Sequence, residues 1–298
     1  MVGLPVRACV EWIVSLPQAG GWVAIPRRPA PGGCGSGGTG QCRPCRPGGR
    51  GMSDDVDALW NFDDPAGSAE RFRVAIAGAD GIERDVLTTH LARALGLCGE
   101  HDEAERLLNS LTPGARPGAP PAEVAVRVAL ERGRLRRSGG RSDPEPPLRE
   151  AAELAAAAGL EALRIDALHM LALIAPTPQE QVAANRTALR AARAAVDPGA
   201  RRWEASVLNN LGCALVDAGD PDSALAVFRQ AQRLRHDAGQ GREEQIARWM
   251  VAWTLRLLGR DAQALGMQRA LKRDLLAAGI DDEYVDAEIA LLTRHQPS

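Results

Sequence analysis

Apolar residues recur roughly every three to four positions along most of this chain, from about residue 64 onward. Leu208, Leu211 and Leu215 are one example, with mainly polar or small residues between them. This spacing places the apolar side chains on one face of a helix, and no segment shows the strict alternation of a half-buried strand. The pattern therefore predicts an all-α protein.

The helical pattern repeats about every 40 residues between residues 92 and 279, and two glycine columns mark two turns per unit. Units of this length cannot bury their apolar faces alone, so they stack into a solenoid. The repeat predicts about five helix-turn-helix units. The first column holds Gly99, Gly139, Gly219 and Gly259, and the second holds Gly159, Gly199, Gly239 and Gly279.

Helix-start signals flank the repeats and also occur inside them. Asp64 before Pro65 predicts a leading helix, and Asp281 with Asp282 predicts a single closing helix. In the third unit Pro176 and Pro178 predict an early end of the first helix, and Gln179 stands in the turn column. Asp102 and Asp220, which follow turn glycines, are predicted to cap second helices.

Residues 1–51 differ from the rest of the chain, so we expect two regions, 1–51 and 52–298. The first contains six arginines and one acidic residue, and residues 26–51 are rich in Gly, Pro, Arg and Cys, which predicts a disordered extension. Met52 resembles a natural translation start, so the extension is interpreted as an over-extended gene model. Cys42 and Cys45 form a CxxC without a second ligand pair, so no zinc site is expected.

The charge of the chain limits the classes of partner. Its net charge is −2 although the first region is basic, so residues 52–298 are acidic, which argues against nucleic-acid binding. The apolar stretch from Val10 to Ile25 is too short and interrupted to span a membrane. We therefore expect a cytoplasmic protein with a protein or peptide partner and possible homo-oligomerisation. Cys98 and Cys213 are interpreted as small core or groove residues.

One unit resembles the tetratricopeptide repeat in the spacing of its small and large apolar residues. The residues that carry this resemblance are Leu208, Leu211, Gly212, Leu215, Ala224, Phe228 and Ala231. The period of 40 residues exceeds the usual 34 or so, and in this it resembles the longer repeats of kinesin light chains and of some bacterial peptide-sensing regulators. The resemblance implies a right-handed α-solenoid with leading and closing cap helices and a concave groove lined by the first helices.

The same resemblance implies which residues line the groove. Asn210 occupies the family position whose amide can hold a peptide backbone. Trp249 and Trp253 lie one turn apart with Arg256 next along, a combination that suits a peptide or an acidic side chain, although the two Trp could instead pack in the core. His169, on an apolar helix face, could also be a core residue. The groove columns also include Arg136, Arg137 and Asp166, of which the two arginines could instead lie on a solvated face. The candidate partner-binding residues are Arg93, His169, Asn209, Asn210, Trp249, Trp253 and Arg256.

No motif for catalysis, a cofactor or a metal occurs in the sequence, and the five histidines share no metal-ligand spacing. The sequence therefore predicts a non-enzymatic scaffold that binds a peptide or partner-protein segment in its groove. Two alternatives remain open. One is a sensor or regulatory subunit acting with a transcriptional regulator, and the other is a self-associating structural module.

Overall fold

The computed structural model describes residues 56–112, 120–140 and 142–294. The extension predicted for residues 1–51, the start at Met52, the CxxC and most of the 112–121 loop lie outside these ranges. Within them every regular element is a helix. The helices are α1 (Pro65–Gly78), α2 (Gly81–Leu97), α3 (His101–Ser110), α4 (Ala122–Gly139), α5 (Glu145–Ala157), α6 (Glu161–Ile174), α7 (Pro178–Ala194), α8 (Pro198–Arg201), α9 (Trp203–Asp217), α10 (Pro221–Asp237), α11 (Gly241–Leu257), α12 (Asp261–Ala277) and α13 (Glu283–Arg294).

Consecutive helices pack against each other along the chain, which confirms the all-α solenoid. The first helices of the five units are α2, α4, α6, α9 and α11, and the second helices are α3, α5, α7, α10 and α12. Helix α1 leads the stack and α13 closes it. The one-turn helix α8 fills the connection between the third and fourth units.

Most of the predicted helix starts are present. The Asp64 side chain accepts a hydrogen bond from the backbone N of Gly67 at 2.9 Å, and Asp220 accepts one from Ser223 at 3.0 Å. In the third unit α6 ends at Ile174, and the next helix begins with a capping box between Thr177 and Glu180. Side-chain oxygens there satisfy backbone N–H groups that have no partner within the helix.

The structure corrects two details of the helix starts. Glu100, and not Asp102, is the residue at the cap position of α3; Asp102 lies in its first turn. Gln179, which the column alignment placed in a turn, lies inside α7 because the capping box starts this helix at Pro178. The Pro-rich third unit therefore keeps two helices but shifts the boundary between them.

The turn glycines follow the repeat with two exceptions. Gly99, Gly219 and Gly259 adopt positive φ angles of 83°, 82° and 70°, which an L-amino acid with a Cβ rarely adopts. In the second unit the residue with positive φ is Gly140 (61°) instead of the expected Gly139, so this turn is displaced by one residue. In the second column, Gly199 lies in α8 without a positive φ.

Small residues on the first helices allow close packing of the second helices. A Cβ placed on Gly212 of α9 would lie 2.4 Å from Cε1 of Phe228 in α10, and one on Gly133 of α4 would lie 2.3 Å from Cδ2 of Leu148 in α5. Phe228 and Leu148 are both fully buried. The glycines therefore leave the room that these large side chains occupy. Of the two cysteines within the described residues, Cys213 is buried and Cys98, against expectation, is exposed.

The apolar core forms three clusters along the stack and not one continuous interior. The first spans residues 56–135, the second is a small group between residues 129 and 174, and the third spans residues 165–292. The middle cluster is centred on Leu130, Leu148 and Met170. Each unit thus buries apolar surface mainly against its neighbours, as expected for a solenoid.

The row of first helices is curved. Asp63 lies in the segment before α1, next to α2, yet its Oδ2 comes within 3.9 Å of Nη1 of Arg242 in the first turn of α11. Packed helices are roughly 8–10 Å apart, so a straight row from α2 to α11 would hold these residues about 30–40 Å apart. The contact therefore requires the row to bend toward the side of the first helices, and this side is concave.

Every helix in the described part of the chain is too short or too polar to cross a lipid bilayer.

Candidate functional site

Every candidate binding residue lies on a first helix. Arg93 is on α2, His169 on α6, the Asn209–Asn210 pair on α9, and the Trp249–Arg256 stretch on α11. The face that these side chains and their neighbours on α4 form is called the first-helix face below. Because the row bends toward this side, the face is the interior surface of the solenoid.

At its N-terminal end the face begins with two aromatic rings from the segment before α1. Trp60 and Phe62 stack with their ring centroids 4.6 Å apart and their planes at 3°. The Arg93 guanidinium lies over both rings, 5.6 Å from the Trp60 centroid and 5.5 Å from that of Phe62. This is the geometry of a cation–π contact, and it uses no carboxylate. Burial, followed by the charge of Arg134, lowers the pKa of Arg93 to about 10.

His90 of α2 links this aromatic group to the next first helix. Its Nδ1 lies 3.2 Å from the Trp60 indole N, and its Nε2 lies 3.2 Å from Nη1 of Arg127 in α4. A neutral imidazole has one acceptor nitrogen, so only one of these two donors hydrogen-bonds to the ring. Burial, followed by the charge of Arg127, places the pKa of His90 well below its ordinary value, so the ring is neutral at pH 7.

An ion cluster joins α4 to α6 in the middle of the face. Arg134 hydrogen-bonds to Glu131 on its own helix and, at 2.5 Å, to Oδ1 of Asp166 on α6. All three side chains are largely buried. Burial lowers the pKa of Arg134, but attraction from Asp166 and Glu131 outweighs this effect and raises the pKa overall. The guanidinium therefore stays charged and holds two first helices together.

His169 and Asn210 form the next link, between α6 and α9. Nδ2 of Asn210 lies 2.8 Å from Nδ1 of His169. The amide nitrogen can only donate, so Nδ1 accepts and the imidazole proton is on Nε2. Burial, with a smaller repulsion from nearby arginines, lowers the pKa of His169 to about 4, although Asp166 opposes this. The ring centroids of Trp203 and His169 are 5.7 Å apart.

Asn209 differs from its neighbour. Its side chain is only 7% exposed, yet it makes no hydrogen bond to any described residue. Neither of its amide atoms is among the fully buried polar atoms that lack a partner, so both still reach solvent and can contact a ligand that supplies a donor and an acceptor. Of the two adjacent asparagines, Asn209 therefore has the amide available for a bound backbone, whereas Asn210 already bonds to His169.

The two tryptophans of α11 stack on each other. The ring centroids of Trp249 and Trp253 are 6.1 Å apart and the planes differ by 11°. Each residue is 7% exposed, and both belong to the large C-terminal core cluster. The offset-parallel pair therefore offers a ligand only a narrow apolar edge, and most of its surface packs within the protein.

Arg256 does not point to an open groove. Its Nε and Nη2 donate to the two carboxylate oxygens of Glu288 at 2.7 and 2.8 Å, a bidentate pair with the closing helix α13. Glu288 is 2% exposed, so this pair is shielded from solvent on the carboxylate side. The function of Arg256 in the free protein is to hold α13, and a partner's acidic group would have to compete with Glu288 for it.

The residue types on the face were predictable in part. Arg93, His169, Asn209 and Asn210 were proposed from the repeat columns, whereas Trp60, Glu131, Arg134 and Glu288 were not. Their contribution depends on contacts across helices, which leave no spacing signal in one sequence. No group of three or more His, Cys, Asp or Glu in the described ranges is arranged to hold a metal ion.

Paired helices, turn glycines and a curved interior surface define an α-helical repeat protein. Residues 205–236, which cover α9 and most of α10, match the family model described as tetratricopeptide repeat. This match in one unit, together with the stacked helix pairs on either side of it, supports a tetratricopeptide-repeat protein. A search of curated proteins found no match. The family match does not confirm the finer resemblance to kinesin light chains.

Proposed function

We propose that this protein is a non-enzymatic interaction scaffold whose first-helix face binds an extended segment of a partner protein. The observation that carries the proposal is the series of recognition groups along one concave surface. Arg93 lies at one end, the unpartnered Asn209 amide near the middle, and the edge of the Trp249–Trp253 stack beyond it. Tetratricopeptide repeats generally mediate protein–protein interactions, which favours the same conclusion.

Each group contributes a different kind of contact. The Asn209 amide can pair with a backbone C=O and N–H of an extended segment, independently of the partner's sequence. The tryptophan edge favours an apolar or aromatic side chain, and the exposed part of the Arg93 guanidinium favours an acidic one. A partner segment that crosses several first helices would combine these contacts, which is how extended surfaces of repeat proteins achieve affinity.

The test is to pan a displayed library of random 12-residue peptides on the full chain. We expect recovered peptides that share a sequence pattern and bind with a measurable Kd. Asn209→Ala should weaken that binding by about 5–20-fold, the loss expected for one buried hydrogen-bonded contact. Asn109→Ala removes the same amide from an exposed position on α3 and should leave the Kd unchanged.

Two outcomes would contradict the proposal. If no peptide is retained, the face does not bind extended segments. If peptides are retained but Asn209→Ala and Asn109→Ala have equal effects, binding occurs on another surface. Circular dichroism and thermal unfolding of both variants establish that the comparison is between folded proteins.

A further inference from the structure

Exposed apolar side chains collect on one edge of the solenoid. At this edge first helices begin and second helices end: the backbone N–H groups of Val196 and Asp197, which follow α7, donate to the Glu161 carboxylate in the first turn of α6. It is called the Val196 edge below. Among the described residues, only two exposed large apolar side chains lie elsewhere, Leu97 and Leu257 at the opposite edge. Those at or within about one turn of the Val196 edge are Val74, Ile82, Leu154, Val196, Leu276, Ile280 and Tyr284.

Val196 is the most exposed of these residues, at 80%, although its backbone is fixed by hydrogen bonds on both sides. Its N–H donates to Glu161 at 2.9 Å, and the carbonyl of the preceding Ala195 accepts from Nε of Arg201 at 2.6 Å. The following Asp197 caps the short helix α8. Because the segment is held in place, it does not fold the valine side chain away from solvent, and that side chain remains available to a partner.

A second apolar patch lies at the same edge two units further along. Leu276 is two repeat periods after Val196 and is 53% exposed, and Ile280 in the next turn is 45% exposed. The backbone N–H of Ile280 donates to the carbonyl of Leu275 at 2.9 Å, so this turn is also fixed. Between the two patches, the fourth unit has the polar His236 at the corresponding position.

The exposed side chains beside Val196 are basic. Arg164 lies in the same first turn of α6 as Glu161, and Arg201 contacts the residue before Val196. Both arginines are exposed, and neither forms an ion pair with a described residue. The carboxylates of Glu161 and Asp197 already accept backbone N–H groups. The Val196 patch, formed by Val196, Arg164 and Arg201, therefore offers guanidinium groups to a partner.

The exposed side chains beside Leu276 and Ile280 are mainly acidic. Asp281 and Glu283 follow Ile280 almost directly, are exposed, and form no ion pair within the described ranges. Arg273 lies one turn before Leu276 and adds one positive charge. The Leu276 patch, formed by Leu276, Ile280, Asp281 and Glu283, is thus opposite in charge to the Val196 patch.

We propose that the Val196 edge binds a second copy of this chain. A two-fold axis beside the fourth unit places the Val196 patch of each copy on the Leu276 patch of the other, so both contacts form at once and the pair is closed. Each contact covers exposed apolar side chains and brings arginines to carboxylates. A lipid surface would present only negative charge and would repel Asp281 and Glu283, whereas a second copy matches both patches.

The edge is separate from the first-helix face, so this inference goes beyond the proposed function and does not depend on it. Packed helices are roughly 8–10 Å apart, so three helix pairs present an edge of about 25 by 20 Å, or about 500 Å² per copy. This area is at the low end for specific interfaces, so we expect a dimer with a Kd on the order of 10 μM.

The test is the mass of the full chain in solution, measured by sedimentation at about 1–200 μM, a range that brackets this Kd. We expect the mass to rise with concentration from 31.6 kDa toward twice that value. Val196→Asp/Leu276→Arg places a like charge against each patch of the partner and should raise the Kd at least about tenfold. Leu97→Asp/Leu257→Arg makes the same changes at the opposite edge and should dimerise like the parent protein.

Charge reversal tests which patch meets which. Arg164→Glu/Arg201→Glu makes both patches of a copy acidic, and Asp281→Arg/Glu283→Arg makes both basic. Each variant alone should dimerise at least about tenfold more weakly than the parent protein, because both of its contacts become repulsive. A mixture of the two variants should form a heterodimer with about the parent's Kd, since opposite charges then meet at both contacts. Circular dichroism establishes that each variant is folded.

Four outcomes would overturn the proposal. The parent chain could remain a monomer at about 200 μM, well above the expected Kd. The edge variant and its opposite-edge control could dimerise equally, which would place the contact on another surface. The mixture could associate no better than its two components. Finally, a monomeric parent could bind anionic vesicles and lose this binding in Val196→Asp/Leu276→Arg, which would assign the edge to a lipid surface.

Discussion

One buried position recurs in the second helices of the repeat. Three units have leucine or phenylalanine there, and the last unit has glutamine. Leu108, Leu148 and Phe228 are spaced by the repeat period and are fully buried. Gln268 continues this column, is 0% exposed, and neither its Oε1 nor its Nε2 has a partner among the described residues. Its amide has therefore lost its hydration without a compensating hydrogen bond.

We predict that Gln268→Leu stabilises the protein. Leucine has a similar volume and no polar group to desolvate, so the free energy of unfolding should rise by about 1–2 kcal/mol. Urea denaturation followed by circular dichroism measures the change. Gln263→Leu, at an exposed position on the same helix, is the matched control and should change it by less than about 0.5 kcal/mol. A destabilised Gln268→Leu would show that the amide is satisfied in solution.

Two glycines should respond to alanine in opposite directions. A Cβ at Gly212 would lie 2.4 Å from the enclosed Phe228 ring, so Gly212→Ala should destabilise the protein by about 1–3 kcal/mol. Gly266, in the middle of α12, has no atom within 4 Å of its Cβ position, so Gly266→Ala should stabilise it by about 0.5–1 kcal/mol. Thermal unfolding of the two variants measures whether each substitution raises or lowers the stability. Equal changes in stability would contradict the close packing of α9 on α10.

Two histidines of the first helices, the buried His169 and the half-buried His90, make stability depend on pH. The pKa of His169 is about 4 in the folded state against an ordinary value of 6.5, so between these values the unfolded chain binds the extra proton. Stability should thus be fully present above about pH 6.5 and fall on acidification, by up to about 3 kcal/mol near pH 4. His90 acts in the same direction.

Urea midpoints at pH 7 and pH 5 measure this effect. We expect the parent protein to lose stability between them and His169→Gln, although weaker at pH 7, to lose less. His236→Gln changes an exposed histidine and should keep the parent's pH dependence. The same pH dependence in all three proteins would show that His169 is not responsible.

At the scale of helices, boundaries were largely predictable and contacts across helices were not. The Asp64–Pro65 and Asp220–Pro221 signals mark helix starts because they act within a few residues. The second-unit turn was misplaced by one residue because Gly139 and Gly140 can both adopt positive φ, and helix packing decides between them. Pairs such as His169 and Asn210, 41 residues apart, depend on the rotation of one unit against the next.

The closing helix α13 is held by two ion pairs of unequal burial. Arg256→Gln leaves the buried Glu288 carboxylate without its partner, so we predict a loss of about 2–4 kcal/mol in the docking of α13. Lys272→Gln breaks a contact with Asp286 in which both side chains are more than one-third exposed, and should cost less than about 1 kcal/mol.

Hydrogen exchange of residues 283–294 measures this docking. Arg256→Gln should accelerate exchange there without a comparable change in α2 and α3, and Lys272→Gln should have a small effect. If both variants accelerate exchange equally, burial of Glu288 does not control the closing helix.

For the whole molecule, the division of the core into three clusters predicts that unfolding is not a single step. The large cluster at residues 165–292 and the one at residues 56–135 are bridged by a small group centred on Leu148. Because each repeat contacts only its neighbours, each cluster is expected to unfold as a separate cooperative unit. Hydrogen exchange across a urea series should give α2–α3 and α9–α12 different opening free energies, and Leu148→Ala should widen the difference. One coincident transition for all peptides would contradict this prediction.

The proximity of Asp63 to Arg242 has a mechanical consequence. Both side chains are about 70% exposed, and an exposed ion pair contributes little free energy. The width of the opening between the first turn of α11 and the segment before α1 thus depends on small rotations at each helix–helix interface along the row. The Asp63–Arg242 ion pair is too weak to fix it. We therefore expect the width of this opening to change at little cost in free energy while every unit stays folded.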